Sequence, residues 1–230
     1  MTDTAAGPVR VDLWADIACP WCYLGVRRLD AVLAESGEAV VVRHRPFMLN
    51  PDLPPEGVPM AGYLEAKFGG SEALAEAHAR LSALGREVGI AYDFAAVGKA
   101  PNTRLAHHLL LTYDGDPRQH DVELALYSAY FERGLDVTDA ATLVDVTAAV
   151  TGESTADVQA RLDSPTADLD AAFALGRDLG ISAVPTYVAD AGADVDPEVG
   201  LSAAAVAVQG AQPAEVLAQV LAEARRRATA

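Results

Sequence analysis

Two strand-like segments flank one helix at the start of the chain, and this order restricts the fold more than any other feature. Residues 9–17, VRVDLWADI, are rich in β-branched and apolar side chains, which favour a buried strand. Helical spacing of apolar residues follows, and Gly37 supplies a stop for that helix. Residues 39–47, AVVVRHRPF, indicate a second buried strand. The chain therefore opens in the order β-α-β.

A proline-rich segment separates this opening from a long helical region. Residues 48–59, MLNPDLPPEGVP, cannot form a regular helix or a central strand because of their prolines. Capped helices follow, and no convincing strand is found between about residues 59 and 162. The residues that we expect to begin these helices are Ser71, Asn102, Asp116, Asp139 and Ser154.

The chain returns to a mixed pattern after the helical region. Ser164, followed by Pro165, is expected to begin a helix that ends at Gly180. ISAVPTYVAD then indicates a strand with a proline near its start, residues 203–210 a second short strand, and the C-terminal segment a closing helix. The order after the helical region is therefore α-β-β-α, which makes the whole chain an α/β protein.

Charge and hydropathy exclude several classes of function. Lys and Arg number 17 against 33 Asp and Glu, a net charge of −16 that repels nucleic acid. The basic cluster Arg225–Arg227 suits the C-terminal end of a helix. No apolar run is long enough to span a bilayer, and the first residues lack the pattern of a secretory signal. The sequence predicts a cytoplasmic protein without a membrane partner.

Both cysteines of the chain, Cys19 and Cys22, lie between the first strand and the first helix. A structural disulfide would close a loop of only four residues, for which the gain in stability is small. A zinc site would need two more ligands, and the sequence has neither a second CxxC nor a His-x3–5-His pair, so no metal site is predicted. Redox chemistry is the third interpretation.

The position of the two thiols at a helix N-terminus favours redox chemistry. Free backbone N–H groups and the helix dipole favour the thiolate of Cys19, which makes it the attacking sulfur. Pro20 suits the first helical turn, where its missing N–H costs no hydrogen bond. Cys22 follows one turn later, within disulfide reach. Stabilising the thiolate also stabilises the reduced form, so the pair becomes more oxidising.

Six segments distributed over nearly the whole chain carry a resemblance to a known family. They are DIACPWCYLG, RPFMLNPDLPPEG, PNTRLAHHLL, LYSAYFERGLDVTD, LGISAVPTYV and VQGAQPAEVL. The sequence resembles the DsbA-like thioredoxin-fold oxidoreductases, specifically their FrnE-like cytosolic branch. The resemblance implies a thioredoxin-like fold, with a central mixed sheet flanked by helices, formed by residues 1–58 and 163–230. It also implies that residues 59–162 form an inserted all-helical domain.

The same resemblance implies roles for four residues. Cys19 is the nucleophile, Cys22 the resolving thiol, and Val184 the backbone contact for the substrate. Pro185 is the cis-proline that faces the CxxC. From the residues alone, an edge-strand proline is favoured at this position, because cis X-Pro bonds are uncommon.

Other candidate site residues have two interpretations each. Asp16 either hydrogen-bonds the start of the helix or accepts a proton from the second thiol. Asn102 and His107 are candidates for the wall of a substrate groove, although Asn102 is first an N-cap and a helical histidine is more often packed or at the surface. Trp21, exposed between the cysteines, is expected to tune access and thiol potential, and Trp14 to belong to the core.

The chain departs from the family pattern between its last two strands, where residues 191–203 form an acidic, glycine-containing segment. Asp194, Asp196 and Glu198, with Pro197 and Gly200, do not have EF-hand spacing, so we predict a solvated hairpin loop.

The predicted activity is thiol–disulfide exchange with a protein or small-molecule substrate, without a prosthetic cofactor and with glutathione as a candidate co-substrate. The direction of exchange is left open. The main alternative is a glutathione-dependent enzyme of the 2-hydroxychromene-2-carboxylate isomerase or kappa-type transferase class, which usually has a single Ser or Cys at the helix start. A pure interaction module would lack dithiol activity.

Overall fold

The structure is a computed structural model that describes residues 8–37, 39–68, 71–192 and 200–229. The chain begins with β1 (Val9–Ala15), α1 (Pro20–Ser36) and β2 (Val40–Pro46). The middle region contains β3 (Val58–Pro59), α2 (Met60–Phe68), α3 (Ser71–Glu87), β4 (Lys99–Ala100), α4 (Arg104–Leu111), α5 (Gln119–Phe131), α6 (Ala140–Thr151) and α7 (Thr155–Leu162). The last region contains α8 (Leu169–Asp178), β5 (Thr186–Asp190), β6 (Val206–Gln209) and α9 (Ala214–Ala228).

A four-stranded mixed sheet in the order β2-β1-β5-β6 forms the centre of the fold. Strands β1 and β2 are parallel, whereas β5 is antiparallel to both β1 and β6. Strand β1 is almost fully buried, as expected for a central strand with helices on both faces. Trp14 on this strand is 1% exposed, so its prediction as a core residue is confirmed. The predicted α/β class and thioredoxin-like fold are also confirmed.

Helix α1 leaves the carboxyl end of β1 and packs back against the sheet. It begins at Pro20 and ends at Gly37, whose φ of 63° lies in the left-handed region that glycine adopts without strain. Gly25 allows the helix to approach β5 closely, because a Cβ atom there would lie 2.1 Å from the hydroxyl of Tyr187 and 3.1 Å from Cγ of Pro185. The start of α1 is thus held close to the start of β5.

Some of the predicted helix starts in the middle region are confirmed. The carboxylate of Asp139 accepts a hydrogen bond from Thr142 N and caps α6, and the hydroxyl of Ser154 accepts one from Asp157 N and caps α7. Helix α3 begins at Ser71. Each of these residues is directly followed by its helix, so the local sequence is sufficient to locate the start.

Three predicted starts are corrected by a few residues. Helix α4 begins after Thr103, while the side chain of Asn102 accepts a hydrogen bond from Arg104 N. Helix α5 begins at Gln119, and Asp116 instead accepts from Arg118 N in the preceding turn. Helix α8 is capped by Asp168 rather than by Ser164. In each case the predicted residue accepts a hydrogen bond from the backbone N–H two positions later, which is the local pattern of a polar residue in a turn rather than of an N-cap.

The prediction that no strand lies between residues 59 and 162 is wrong in one place. Strands β3 and β4 form a short antiparallel pair, with Val58 opposite Ala100 and Pro59 opposite Lys99. Two-residue strands are too short to produce an alternating pattern, so the sequence could not reveal them. The rest of the described middle region is helical or in loops. We keep the division into residues 1–58 with 163–230 and residues 59–162 as a proposal.

Helices of the middle region pack against the thioredoxin-like part on two sides. Helices α3 and α5 contact α1, while α4 and α5 contact β2. Ring contacts connect Tyr23 of α1 with Tyr92, Tyr127 and Phe131 of the middle region. This aromatic cluster lies directly behind the turn that contains the two cysteines. No helix among the described residues has the length and hydropathy needed to cross a bilayer.

The predicted acidic hairpin loop lies mostly outside the described residues, which exclude 193–199 and therefore Asp194, Asp196, Pro197 and Glu198. At its base, the carboxylate of Asp190 accepts hydrogen bonds from Gly192 N and Ser202 N.

Candidate active site

Cys19 and Cys22 lie at the first turn of α1, Cys19 at the N-cap and Cys22 inside the helix. Cys19 is the N-cap residue, and its carbonyl oxygen accepts hydrogen bonds from the backbone N–H of Cys22 at 3.0 Å and of Tyr23 at 3.3 Å. No side chain caps the helix at Cys19. Pro20 has no N–H and the Cys22 N–H is bonded to Cys19, so the Trp21 N–H and the positive end of the helix dipole are the groups available to a negative sulfur.

The environments of the two thiols differ. Cys19 is 5% exposed and Cys22 is fully buried. Burial raises the pKa of the Cys22 thiol well above its ordinary value, and the hydrogen bond with Cys19 raises it further. Cys22 is consequently a thiol at neutral pH, and it must lose its proton before it can attack another sulfur.

Asp16 lies beneath the cysteine turn and is 1% exposed. Its carboxylate accepts hydrogen bonds from Ala18 N at 3.1 Å and from Leu49 N at 2.7 Å. Its main chain hydrogen-bonds the Cys22 thiol, and its negative charge contributes to the raised pKa of that group. The Asp16 carboxylate therefore bonds the turn before the helix and the segment after β2, and not the helix start that the sequence predicted.

His107 of α4 is buried next to Asp16, with Nε2 3.4 Å from Oδ1 of that carboxylate. Its ring also makes an edge contact with Phe173. His107 therefore faces the buried acid below the cysteines rather than an open groove.

The segment between the two cysteines is contacted by the middle region. The hydroxyl of Tyr92 donates a 2.6 Å hydrogen bond to the carbonyl oxygen of Pro20. The guanidinium of Arg80 lies 5.7 Å from the centroid of the Trp21 ring, a cation–π distance. Trp21 is half-buried rather than exposed, because this arginine and the adjacent core cover part of it.

Pro185 packs beside α1 at the start of β5. The Val184–Pro185 peptide bond is cis, and the carbonyl oxygen of Pro185 accepts a hydrogen bond from Gly210 N at 2.7 Å. The main chain of Val184 makes no hydrogen bond to any residue that the structure describes. Its N–H and C=O groups are thus available to another chain.

Two cavities lie beside α4 and α8, and neither is lined by Cys19, Cys22, Val184 or Pro185. One of about 580 Å³ is lined by Asn102, whose side-chain amide also donates a hydrogen bond to the Leu53 carbonyl. The other, of about 440 Å³, is lined by residues of three segments: Phe47 and Met48 after β2, Phe173 and Arg177 of α8, and Ile181 before β5. Both cavities are lined by Arg104 and Asp170, which form a 2.7 Å ion pair.

Sequence reasoning did not identify Tyr92 and Arg80, the two residues that contact the segment between the cysteines. A tyrosine and an arginine in a helical region carry no pattern that would mark them as site residues. Their proximity to Pro20 and Trp21 follows from the packing of α3 and its C-terminal loop against α1.

The cysteine pair at the start of α1 and the mixed sheet define a thioredoxin-fold oxidoreductase that acts on disulfides. Residues 10–222 match the family of the DsbA-like thioredoxin domain. The chain belongs to this family. A comparison with curated protein sequences found no match.

Solved structures with the same fold include several oxidoreductases. A probable DsbA oxidoreductase from Streptomyces coelicolor is 32% identical, with 95% of this chain and 90% of that chain covered and a TM-score of 0.78. A 2-hydroxychromene-2-carboxylate isomerase is 17% identical, with 96% and 98% covered and a TM-score of 0.66. The cytosolic disulfide reductase DsbM from Pseudomonas aeruginosa with GSH is 19% identical, with 96% and 98% covered and a TM-score of 0.54. The last two similarities establish only the shared fold.

Proposed function

We propose that this chain catalyses thiol–disulfide exchange with Cys19 as the nucleophile and Cys22 as the resolving thiol. The observation that carries the proposal is the asymmetry of the pair at the start of α1. Cys19 occupies the N-cap position, at the positive end of the helix dipole, which favours a thiolate, whereas burial keeps Cys22 protonated.

Exchange proceeds in two steps in the reducing direction. The Cys19 thiolate attacks one sulfur of the substrate disulfide, a mixed disulfide forms, and the other substrate sulfur leaves as a thiolate that takes a proton from solvent. The Cys22 thiol then loses its proton and attacks Cys19. A Cys19–Cys22 disulfide forms, the second substrate thiolate leaves, and two electrons have passed to the substrate. Oxidation of a dithiol substrate runs these steps in reverse.

We propose Asp16 as the acceptor of the Cys22 proton. It is the buried carboxylate next to this thiol, and its interaction with His107 places a second titratable group behind it. In this role His107 stabilises the charged carboxylate and acts as a positioning residue, without contacting the sulfur.

Substrate binding is proposed at the free main chain of Val184 and in the two cavities beside α4 and α8. An extended substrate segment can pair with the N–H and C=O groups of Val184 in the manner of an added strand. Pro185, which has no N–H, presents no backbone donor to the thiolate. The 440 Å³ cavity is lined by Met48, next to the Leu49 amide that binds Asp16, and it combines apolar side chains with two arginines, Arg104 and Arg177, and with Asp170.

Pro20 and Trp21 are proposed to tune the reactivity of the pair. The contacts from Tyr92 and Arg80 hold this dipeptide against the middle region. Asn102 is retained as a candidate for the wall of the larger cavity, where it lies in the lining.

We propose that glutathione is a co-substrate of thiol–disulfide exchange and that the protein is not a glutathione-dependent isomerase. The GSH complex of DsbM supports this choice, and DsbM is described as cytosolic, which agrees with the cytoplasmic location that we propose here. An isomerase with a single active-site residue would not need a thiol at position 22. The second cysteine therefore favours exchange over isomerisation.

Two measurements test the proposal. The reduction potential of the pair is obtained by equilibration in glutathione buffers. It should be less negative than about −300 mV, because structural disulfides have more negative potentials than catalytic dithiols. The Cys22→Ala variant should accumulate a mixed disulfide with oxidised glutathione, whereas Cys19→Ala should not. Trapping at neither cysteine, or equal trapping in both variants, would contradict the assignment.

The Asp16→Asn variant tests the proton acceptor. We expect normal formation of the mixed disulfide and slower resolution, with the largest effect near neutral pH, because Cys22 then lacks a nearby base. A variant at the neighbouring contact, His107→Gln, should give a smaller effect in the same direction. Unchanged resolution in Asp16→Asn across the pH range would assign this residue a purely structural role.

A further inference from the structure

Two histidines from distant parts of the sequence meet between the sheet and the middle region. His44 lies on β2 and His120 in the first turn of α5, and their ring planes are inclined by 26° with centroids 5.2 Å apart. Nε2 of His44 faces Nδ1 of His120 at 3.1 Å. The redox mechanism uses neither residue.

Each ring has a carboxylate at its outer nitrogen. Nδ1 of His44 contacts Oε2 of Glu123, and Nε2 of His120 lies 2.8 Å from Oδ1 of Asp30. An ionised carboxylate can only accept hydrogen bonds, so it favours the tautomer with the proton on the imidazole nitrogen that faces it. When both neutral rings adopt this tautomer, the two inner nitrogens direct lone pairs at each other.

Two facing lone pairs require a positive charge between them, either a shared proton or a metal ion. The separation suits a metal, because two bonds of about 2.0–2.1 Å at a tetrahedral angle place the nitrogens about 3.3–3.4 Å apart. Histidines that bind metals almost always donate their second N–H to a carboxylate or carbonyl, and here both rings face carboxylates. The carboxylates of Glu123 and Asp30 also supply the two negative charges that balance a divalent ion.

We propose that His44 and His120 bind a Zn²⁺ ion through their facing nitrogens, with Glu123 and Asp30 as the outer partners that orient the rings. His44, His120 and Glu123 each offer a ligand atom within 4.8 Å of the others, but Glu123 stays at the outer nitrogen of His44, so the two imidazoles are the protein ligands, and imidazole nitrogen is a common zinc ligand. The side chain of His120 is 27% exposed, which gives the ion a route from solvent and leaves coordination positions open.

The site would connect three elements of the fold. His44 belongs to β2, Asp30 to α1, and His120 and Glu123 to α5 of the middle region. A bound ion therefore fastens the middle region to the thioredoxin-like part. The charged side chains around the pair are those of Asp30, Glu123 and Asp121, together with Arg27, which forms an ion pair with Asp30 at 3.2 Å. This proposal does not depend on the redox assignment.

Zn²⁺ titration by isothermal calorimetry tests the proposal on the full chain without an affinity tag. The Cys19→Ser/Cys22→Ser background removes the thiols that would otherwise bind zinc. We expect one Zn²⁺ per chain, a higher melting temperature with Zn²⁺, and a Co²⁺ absorption spectrum of tetrahedral character. Absence of binding at millimolar Zn²⁺ would overturn the proposal. A shared proton would then lie between Nε2 of His44 and Nδ1 of His120.

Single substitutions locate the site. His120→Gln, at the more exposed ring, should weaken Zn²⁺ binding at least 100-fold, and Asp30→Asn should weaken it 10- to 100-fold. His78→Gln is the matched control, because His78 stacks on Phe94 away from the pair. His44→Gln should also abolish Zn²⁺ binding. If this buried variant does not fold, the result for His120→Gln alone tests the site. Unchanged affinity in His120→Gln, or an equal loss in His78→Gln, would refute the site.

Discussion

Replacing Gly25 by alanine tests the close approach of α1 to the start of β5. A Cβ atom at this position would lie 2.1 Å from the Tyr187 hydroxyl, 3.1 Å from Pro185 Cγ and 3.4 Å from Tyr187 Cζ. Tyr187 is 1% exposed and its hydroxyl has no hydrogen-bond partner among the described residues, so this side chain has little room to move. The helix and the strand must therefore separate, or the tyrosine must shift its neighbours.

The net effect combines two opposing contributions. Alanine is favoured over glycine inside a helix by about 0.8–1.0 kcal/mol. Overpacking of a core typically costs about 1–3 kcal/mol, and a contact of 2.1 Å belongs at the upper end of that range. We expect Gly25→Ala to lower the free energy of unfolding by about 1–2 kcal/mol.

Removing the hydroxyl should rescue this variant. Tyr187→Phe eliminates the shortest contact and leaves those at 3.1 and 3.4 Å, which small movements can accommodate. The single Tyr187→Phe change should be neutral or stabilising, because it removes a buried hydroxyl that lacks a partner. The double variant should therefore show a favourable coupling energy of about 1–3 kcal/mol.

Urea unfolding of the reduced protein, followed by far-UV circular dichroism, measures all four members of the cycle. Gly62→Ala in α2 is the matched control, because nothing lies within 4 Å of a Cβ there and only helix propensity should act. We expect this control to gain up to about 1 kcal/mol. If Gly25→Ala were stabilising to the same extent and showed no coupling with Tyr187→Phe, the close approach would be wrong.

Three further predictions concern the cysteine turn. Iodoacetamide at pH 7 should modify Cys19 much faster than Cys22, as mapped by mass spectrometry, and equal rates would contradict the asymmetry. The pKa of Cys22 is raised by folding, so the unfolded chain releases this proton first as the pH rises. Above about pH 8.5 the reduced protein should lose stability relative to Cys22→Ala, by at most about 1.4 kcal/mol per pH unit. Urea unfolding at a series of pH values measures this difference. An equal dependence of the free energy of unfolding on pH in both proteins would refute it. Arg80→Gln should lower the free energy of unfolding by about 0.5–1 kcal/mol through loss of the contact with Trp21, whereas Arg86→Gln at the end of the same helix should have no such effect.

The sequence alone determined the order of the main elements and the position of the two thiols. A strand, a helix start at Pro20 and a stop at Gly37 each depend on residues a few positions apart, because apolar periodicity and capping are local. The caps at Asp139 and Ser154 were predictable for the same reason. Ser164 failed as a cap because polar residues in neighbouring turns compete for the same role, and only the folded chain selects Asp168.

The surroundings of the thiols and the pairing of distant side chains were decided by the tertiary structure. His44 and His120 are 76 residues apart, and no spacing rule connects a strand residue with a helix in another region. His107 reaches Asp16 only because α4 packs against β2 next to the cysteine turn. Such contacts depend on the order of strands in the sheet and on how the middle region packs, which are global properties of the chain. Local sequence patterns therefore locate the two cysteines, whereas the side chains near them and the proposed metal ligands are brought together only by folding.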